Sequence, residues 1–147
     1  MRAMLGLDLG GTQIKSGLVF EDGSLEQVVR TPTPQADPTG LEAVATLAKI
    51  ASSYQDYEAI GLVVPGLVDP ELGMCKFSGT LGWRELPIAK MVQAAVKKPV
   101  FLEHDVTAGG VAELEVGVAK GVNRGVVIAI GTALAAAFII NGEIFHP

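Results

Sequence analysis

A glycine turn near the start of the chain lies between an acid and a lysine. Asp8 falls near the end of the apolar run of residues 4–9, Gly10-Gly11-Thr12 interrupts that run, and Lys15 lies in the next one. Glycine permits close backbone approach, and the N–H groups of such a turn can form a concave anion site. A carboxylate at a strand end can hold hydrated Mg2+ beside phosphate oxygens. The pattern predicts a phosphate site, with an ordinary hairpin as the alternative.

The elements that must position these groups are short strands. Apolar runs at residues 4–9, 14–20 and 25–31 are joined by short turns, which predicts an antiparallel meander. Asp37 is predicted to cap a helix whose first residue is Pro38. Residues 60–64 are wholly apolar, which is typical of a strand buried on both faces.

A second glycine–threonine turn repeats the first. When Gly131-Thr132 is set over Gly11-Thr12, apolar strands coincide and Asn141-Gly142 falls on Asp22-Gly23, a pair that suits a tight hairpin. An internal repeat of this kind indicates two related lobes, each opening with a phosphate-facing turn. The acid and lysine of the first copy have only apolar counterparts in the second, so any metal-binding role belongs to the first copy.

Two further segments follow predicted strands. Pro65-Gly66 ends the strand of residues 60–64, and residues 67–83 are predicted as an irregular loop of the kind that binds ligands in α/β folds. The alternative is a surface connection with Trp83 as a packing anchor. His104-Asp105 follows a strand at residues 100–103 and precedes a helix that runs from Val106 to about Val118.

The resulting order, βββ-α-β-α-β-α followed by β-β, predicts an α/β fold. It is a mixed five-stranded sheet flanked by helices, the layout of a ribonuclease-H-like lobe. The predicted division is residues 1–125 for this lobe and residues 126–147 for the opening hairpin of a second, truncated lobe.

The composition narrows the class of function. The 147 residues carry a net charge of −5 and 5% aromatic residues, which disfavours nucleic-acid binding. Cys75 is the only cysteine, so a disulfide within the chain is excluded and a reducing cytoplasm is expected. The uncharged stretch of residues 125–140 is shorter than the roughly 20 residues of a membrane helix. We therefore expect a cytoplasmic protein with neither nucleic acid nor membrane as partner.

Five blocks, in order along essentially the whole chain, resemble the ROK family of bacterial sugar kinases and sugar-responsive repressors, which has the hexokinase–actin superfamily fold. They are LDLGGTQIKSGLV, IGLVVPGLVDPELG, LGWRELPI, VFLEHDVTAGGVAELEVG and VIAIGTALAAAFIINGEI. The resemblance implies ATP-dependent phosphorylation of a hexose or amino sugar in a cleft between two lobes. Its implied cofactors are ATP and Mg2+, the metal being held by Asp8 through water; Cys75 and His146 alone do not make a zinc site.

The resemblance also assigns roles to residues. It implies ATP-phosphate binding by Asp8, Gly10, Gly11, Thr12, Lys15, Gly131 and Thr132, and sugar binding by Pro65, Gly66, Thr80, His104 and Asp105. Asp105 matches the catalytic aspartate that takes the proton of the attacking hydroxyl. Considered without the family, Asp105 is more readily a helix N-cap.

Several residues depart from the family pattern. His104 stands where the family usually has asparagine, and Thr80 and Thr107 stand where it often does. Alanines at 133 and 135–137 follow the second turn. Family kinases also continue with a second lobe, so a lobe alone is expected to be weak or inactive. One alternative is therefore a non-catalytic sugar-binding lobe of a ROK regulator. Another is an interaction module whose apolar hairpin packs against another copy, giving a homodimer, or against the lobe itself.

Overall fold

The computed structural model describes residues 2–131 and 134–146, and the chain divides into two compact units, Met1–His104 and Asp105–Pro147. The elements in chain order are β1 (Ala3–Leu9), β2 (Gln13–Phe20), β3 (Leu25–Pro32), α1 (Leu41–Ser52), β4 (Ile60–Val64), β5 (Leu67–Asp69), β6 (Met74–Ser78), β7 (Trp83–Leu86), α2 (Ile88–Val96), β8 (Val100–His104), α3 (Asp105–Glu115), β9 (Arg124–Ile130), β10 (Leu134–Ile140) and β11 (Glu143–Ile144). Thr132 and Ala133 lie outside the described residues.

A mixed five-stranded sheet organises the first unit, in the order β3-β2-β1-β4-β8. Strands β1, β2 and β3 pair antiparallel, whereas β1 pairs with β4 and β4 with β8 in parallel. The predicted sheet of a ribonuclease-H-like lobe is confirmed. Because parallel strands end on the same side of a sheet, the carboxyl ends of β1, β4 and β8 form one continuous edge.

The core of the first unit lies on one face of this sheet. Alternate residues of β1, such as Leu5 and Leu7, are fully buried with Leu47 of α1 and Val92 of α2. This burial follows from the period of two along a strand. Strand β4 shows the same alternation, since Gly61 and Val63 are only half-buried. The prediction that this strand is buried on both faces was therefore wrong.

Helix α1 begins at Leu41, so the predicted start at Pro38 was wrong. Gly40 is the N-cap residue at φ 70°, a left-handed conformation that glycine adopts without strain. Asp37 nevertheless acts as the capping acceptor, because its Oδ2 accepts the Ala43 N–H at 2.8 Å. Its backbone oxygen also accepts the Trp83 Nε1–H at 2.8 Å. Because the chain turns between Asp37 and α1, the Asp37 carboxylate can accept an N–H from the first turn of the helix, six residues along the chain.

Residues 67–83 are more ordered than predicted. Strands β5, β6 and β7 form a small antiparallel sheet, so the expectation of an irregular loop was wrong. These strands have three to five residues, and a register shift between Leu67 and Val68 breaks the alternation that would have revealed them. Trp83 is 1% exposed and anchors the sheet to the core, as the alternative interpretation expected.

The second unit packs α3 against a three-stranded antiparallel sheet of order β11-β10-β9. Gly110 permits this close approach, because a Cβ there would lie 2.8 Å from Ile144 Cδ1. Asn141 and Gly142 both have positive φ, which confirms the predicted tight turn. Helix α3 groups with the hairpin in the structure, while the domain boundary after residue 125 stays a prediction.

No helix in the described part of the chain has the length and apolar character needed to cross a bilayer.

Candidate functional site

The turn between β1 and β2 brings together an acid and a lysine. Asp8 and Lys15 are directly opposed in the antiparallel pair, and Asp8 Oδ2 lies 3.7 Å from Lys15 Nζ. Both side chains are about half exposed, at 47% and 51%, so the pair is open to solvent and to small ions. The sequence predicted that these residues share a site, and the strand register places them on the same face beside the turn.

All three carbonyls of the turn are held by the segment that follows β3. The Thr33 N–H donates to the Thr12 oxygen at 3.0 Å, and Thr33 Oγ1 donates to the Gly10 oxygen at 2.7 Å. The Gln35 side-chain amide donates to the Gly11 oxygen at 2.9 Å. In a trans peptide the C=O and the next N–H point in opposite directions. The N–H groups of Gly11 and Thr12 therefore point away from residues 33–35, as an anion-binding turn requires.

Sequence reasoning missed Thr33 and Gln35. Both lie in the proline-rich segment after β3, for which no role was predicted from the sequence. Thr33 is 5% exposed, and a buried hydroxyl needs a hydrogen-bond partner. A threonine placed between two prolines gave a local sign of an ordered segment, but its partner, 23 residues away, was not visible.

The predicted sugar-binding residue Thr80 touches the same turn. A Cβ added at Gly11 would lie 2.5 Å from Thr80 Cγ2, so the Thr80 side chain occupies the space that a larger residue 11 would need. Thr80 is exposed and follows β6, the central strand of the small sheet. The tertiary structure thus brings Thr80, predicted to bind the sugar, against Gly11, predicted to bind phosphate.

Other predicted residues lie at the edge formed by the ends of the parallel strands. Asp8 is paired with Val63 near the end of β4, and Val64 is paired with His104 at the end of β8. Pro65-Gly66 directly follows β4 at this edge. Gly66 has φ 121°, and a Cβ there would collide with the Phe77 carbonyl oxygen and lie 2.9 Å from Ser78 Cα. Glycine is therefore required where the chain passes from β4 onto the small sheet.

The remaining predicted residues belong to the second unit. Asp105 follows His104 in the chain and is the first residue of α3, where its Oδ1 accepts the Val106 N–H at 2.9 Å. The contact satisfies one free N–H at the start of the helix, but it is not the bond to the second or third helical N–H that defines an N-cap. Gly131 follows β9, and a Cβ there meets no described neighbour within 4 Å. Thr132, the other residue predicted in that turn, lies outside the described residues.

The two glycine turns connect similar hairpins. Leu9 is paired with Ile14 across the first turn, and Ile130 with Leu134 across the second. The second connection is one residue shorter, so Gly10 has no glycine counterpart. The internal repeat read from the sequence is therefore a repeat of hairpin structure, with a less glycine-rich second turn.

Comparison with known proteins identifies the family. The ROK family pattern matches residues 4–146. The chain belongs to the ROK family. The glucokinase of Streptomyces coelicolor is 30% identical over 144 residues, covering 98% of this chain and 45% of that protein. The xylose repressor of Bacillus spizizenii is 31% identical over 87 residues, covering 59% of this chain and 22% of that protein.

Solved structures of the ROK family share the fold. The ROK glucokinase of Streptomyces griseus, in complex with glucose and AMPPNP, superposes with a TM-score of 0.87 at 32% identity. The match covers 97% of this chain and 46% of the glucokinase. The chain thus spans about half the length of the glucokinases it matches.

Proposed function

We propose that this chain carries the phosphate-binding turn and the acceptor-binding edge of a sugar kinase. The reaction is the ATP-dependent phosphorylation of a hexose or amino sugar hydroxyl. The observation that carries this proposal is the turn at residues 10–12, whose carbonyls are held by Thr33 and Gln35 so that its N–H groups face the other way. The similarity to glucokinases supports the same assignment. A cytoplasmic location is part of the proposal.

The turn and its two charged neighbours suit the phosphates of ATP. The N–H groups of Gly11 and Thr12 would donate to phosphate oxygens, and Lys15 would add positive charge. Asp8 has an accessible carboxylate beside the turn, which fits a hydrated Mg2+ because that ion usually takes one or two carboxylates. The bound Mg2+ would neutralise charge on the phosphates. Lys15 already places a cation 3.7 Å from Asp8, so the pair must open when the metal binds.

Asp105 is proposed as the general base. The sugar hydroxyl oxygen would form a bond to the γ-phosphorus while the bond between that phosphorus and the bridging oxygen of ADP breaks. The hydroxyl proton would pass to Asp105. The contact from the Val106 N–H fixes the orientation of the carboxylate. Pro65, Gly66, Thr80 and His104 would position the sugar.

A second candidate is a non-catalytic sugar-binding lobe of a ROK regulator. Threonine at position 80 and histidine at position 104 replace asparagines that the family usually has, and both are sugar-binding positions in the proposal. The similarity to a xylose repressor supports this candidate. In it, sugar binds but no phosphoryl group is transferred.

The two candidates are separated by measuring turnover and binding on the 147-residue chain. ADP release would be followed with glucose, mannose and N-acetylmannosamine, and sugar and AMPPNP binding by titration calorimetry. Because the chain spans about half of its kinase relatives, the kinase proposal expects slow turnover that Asp105→Asn abolishes. The matched control is Glu115→Gln, an exposed acid at the other end of α3 whose loss should leave the rate unchanged. Sugar binding without turnover would favour the regulator lobe, and binding of neither ligand would refute both.

A further inference from the structure

Residues 33–37, which we call the strap, lie between β3 and α1 and are held at both ends. Thr33 is 5% exposed and donates two hydrogen bonds to the turn at residues 10–12. Asp37 is 7% exposed, and it accepts N–H groups from Ala43 and from the Trp83 ring. The backbone of the strap therefore has little freedom to move.

Gln35 is an exposed residue in the middle of the strap, and its side chain reaches back to the turn. Its Nε2 donates to the Gly11 oxygen at 2.9 Å and to the Thr33 oxygen at 3.0 Å. Both partners are carbonyl oxygens, so the nitrogen of the side-chain amide, and not its oxygen, must face them. A side-chain amide has two N–H donors, and these two bonds use both. Gln35 therefore cannot donate to a bound phosphate without releasing the turn.

The bond from Gln35 fixes the direction of the peptide between Gly11 and Thr12. The C=O of this peptide points at Gln35, so the Thr12 N–H points the opposite way. Glycine resists backbone rotation less than any other residue, so Gly11 does little to hold this direction by itself. If the peptide rotated, the Gly11 oxygen would face the bound phosphates and repel them.

We propose that Gln35 is a positioning residue for the phosphate donor. It acts through the turn, by keeping the Thr12 N–H directed at the phosphates, and it makes no contact with the donor itself. This inference rests on the proposed function, because it assumes that the turn binds ATP. Since both N–H groups of Gln35 are bonded to the turn and the strap, their loss should weaken nucleotide binding and leave sugar binding nearly unchanged.

Gln35→Met in the 147-residue chain tests the proposal. Methionine has nearly the same length as glutamine but no N–H donor. The strap is held through Thr33 and Asp37, so the variant should keep its fold, which circular dichroism would check. The matched control is Gln55→Met, at an exposed glutamine near Ala3 and so at the opposite end of β1 from the turn.

The first measurement needs no ligand. Relaxation dispersion of 15N-labelled chains detects backbone amides that exchange between conformations in microseconds to milliseconds. We expect Gln35→Met to shift the Thr12 amide resonance and to introduce such exchange at Gly11 and Thr12, and we expect neither change in Gln55→Met. A Thr12 amide with the same shift and relaxation in Gln35→Met as in the wild type would overturn the proposal.

The second measurement is a titration of the same chains with Mg-AMPPNP and, separately, with glucose. Gln35→Met should weaken AMPPNP binding about twofold to tenfold, the range for one lost hydrogen bond, with glucose binding unchanged. Unchanged AMPPNP affinity, or equal weakening of both ligands, would overturn the proposal. A wild-type chain that binds no AMPPNP would refute the proposed function, whereas the relaxation data alone would still decide whether Gln35 holds the turn.

Discussion

Replacing Gly11 by alanine tests how tightly the turn at residues 10–12 is packed. A Cβ at this position would lie 2.5 Å from Thr80 Cγ2, a distance that real carbon atoms do not adopt. Thr80 is an exposed residue in the loop after β6, so its side chain must rotate, or that loop or the turn must move. Because Gln35 holds the Gly11 carbonyl from the other side, the turn has little freedom to yield.

The size of the effect follows from this overlap. One surplus carbon in a well-packed core destabilises a protein by about 1–3 kcal/mol, and this range is an upper bound here because Thr80 is exposed. For a chain of 147 residues, 1 kcal/mol corresponds to roughly 3 °C in Tm. We therefore expect Gly11→Ala to lower Tm by at most about 9 °C. The displaced turn should also bind AMPPNP more weakly, because its N–H groups no longer converge.

Two further variants make the reasoning specific, with Tm read by differential scanning calorimetry. Thr80→Ser removes the methyl group that the new Cβ would strike, so Gly11→Ala with Thr80→Ser should recover most of the lost Tm. Gly61→Ala is the matched control, because a Cβ on this strand glycine meets nothing within 4 Å among the described atoms. A clash between residue 11 and Thr80 is refuted if Thr80→Ser recovers none of the Tm lost in Gly11→Ala, or if Gly61→Ala lowers Tm as much as Gly11→Ala.

Three other expectations concern single groups. Lys15→Met should change the free energy of unfolding by less than about 1 kcal/mol, because the ion pair of Lys15 with Asp8 is half exposed. The same variant should bind Mg-AMPPNP more weakly in titration calorimetry, and an unchanged affinity would contradict a phosphate role for Lys15. Ser16 donates to Tyr54 Oη at 2.9 Å in a buried site. Tyr54→Phe should therefore lower the free energy of unfolding, measured by urea titration, by about 1–3 kcal/mol. The loss should be smaller when Tyr54→Phe is made in a chain that already carries Ser16→Ala. Burial raises the pKa of the Cys75 thiol above its ordinary 9.0. The neutral thiol therefore contributes fully to the free energy of unfolding below pH 9, and this contribution is lost as the pH rises through the pKa of the thiol in the folded chain. Native thiol labelling should therefore lag far behind that of the urea-unfolded chain, and equal rates at pH 9 would contradict this.

Much of the first unit could be predicted because its signals are local. The apolar runs predicted β1, β2 and β3 in nearly their observed bounds, because short runs of apolar residues between turn residues are typical of strands. The Asn141-Gly142 turn was predicted because its positive φ angles favour these two residue types. The family itself was readable from five blocks in order, and the match over residues 4–146 confirms it.

The site needed contacts that no local pattern carries. Thr33 and Gln35 hold the turn from more than 20 residues away, and Asp37 caps α1 from beyond an intervening glycine turn. The small sheet escaped prediction because its strands are too short to show a period, although tertiary packing on Trp83 stabilises them.

The sequence by itself determined where a glycine turn lies between an acid and a lysine and which segments become strands, because residue chemistry and backbone preference act over a few positions. Only the tertiary structure decided that Thr80 packs against Gly11 and that the carbonyls of the turn are held by the segment after β3. The reason is physical: a hydrogen bond or a steric contact between distant residues depends on where the whole sheet places them, and many sequences satisfy the same local pattern.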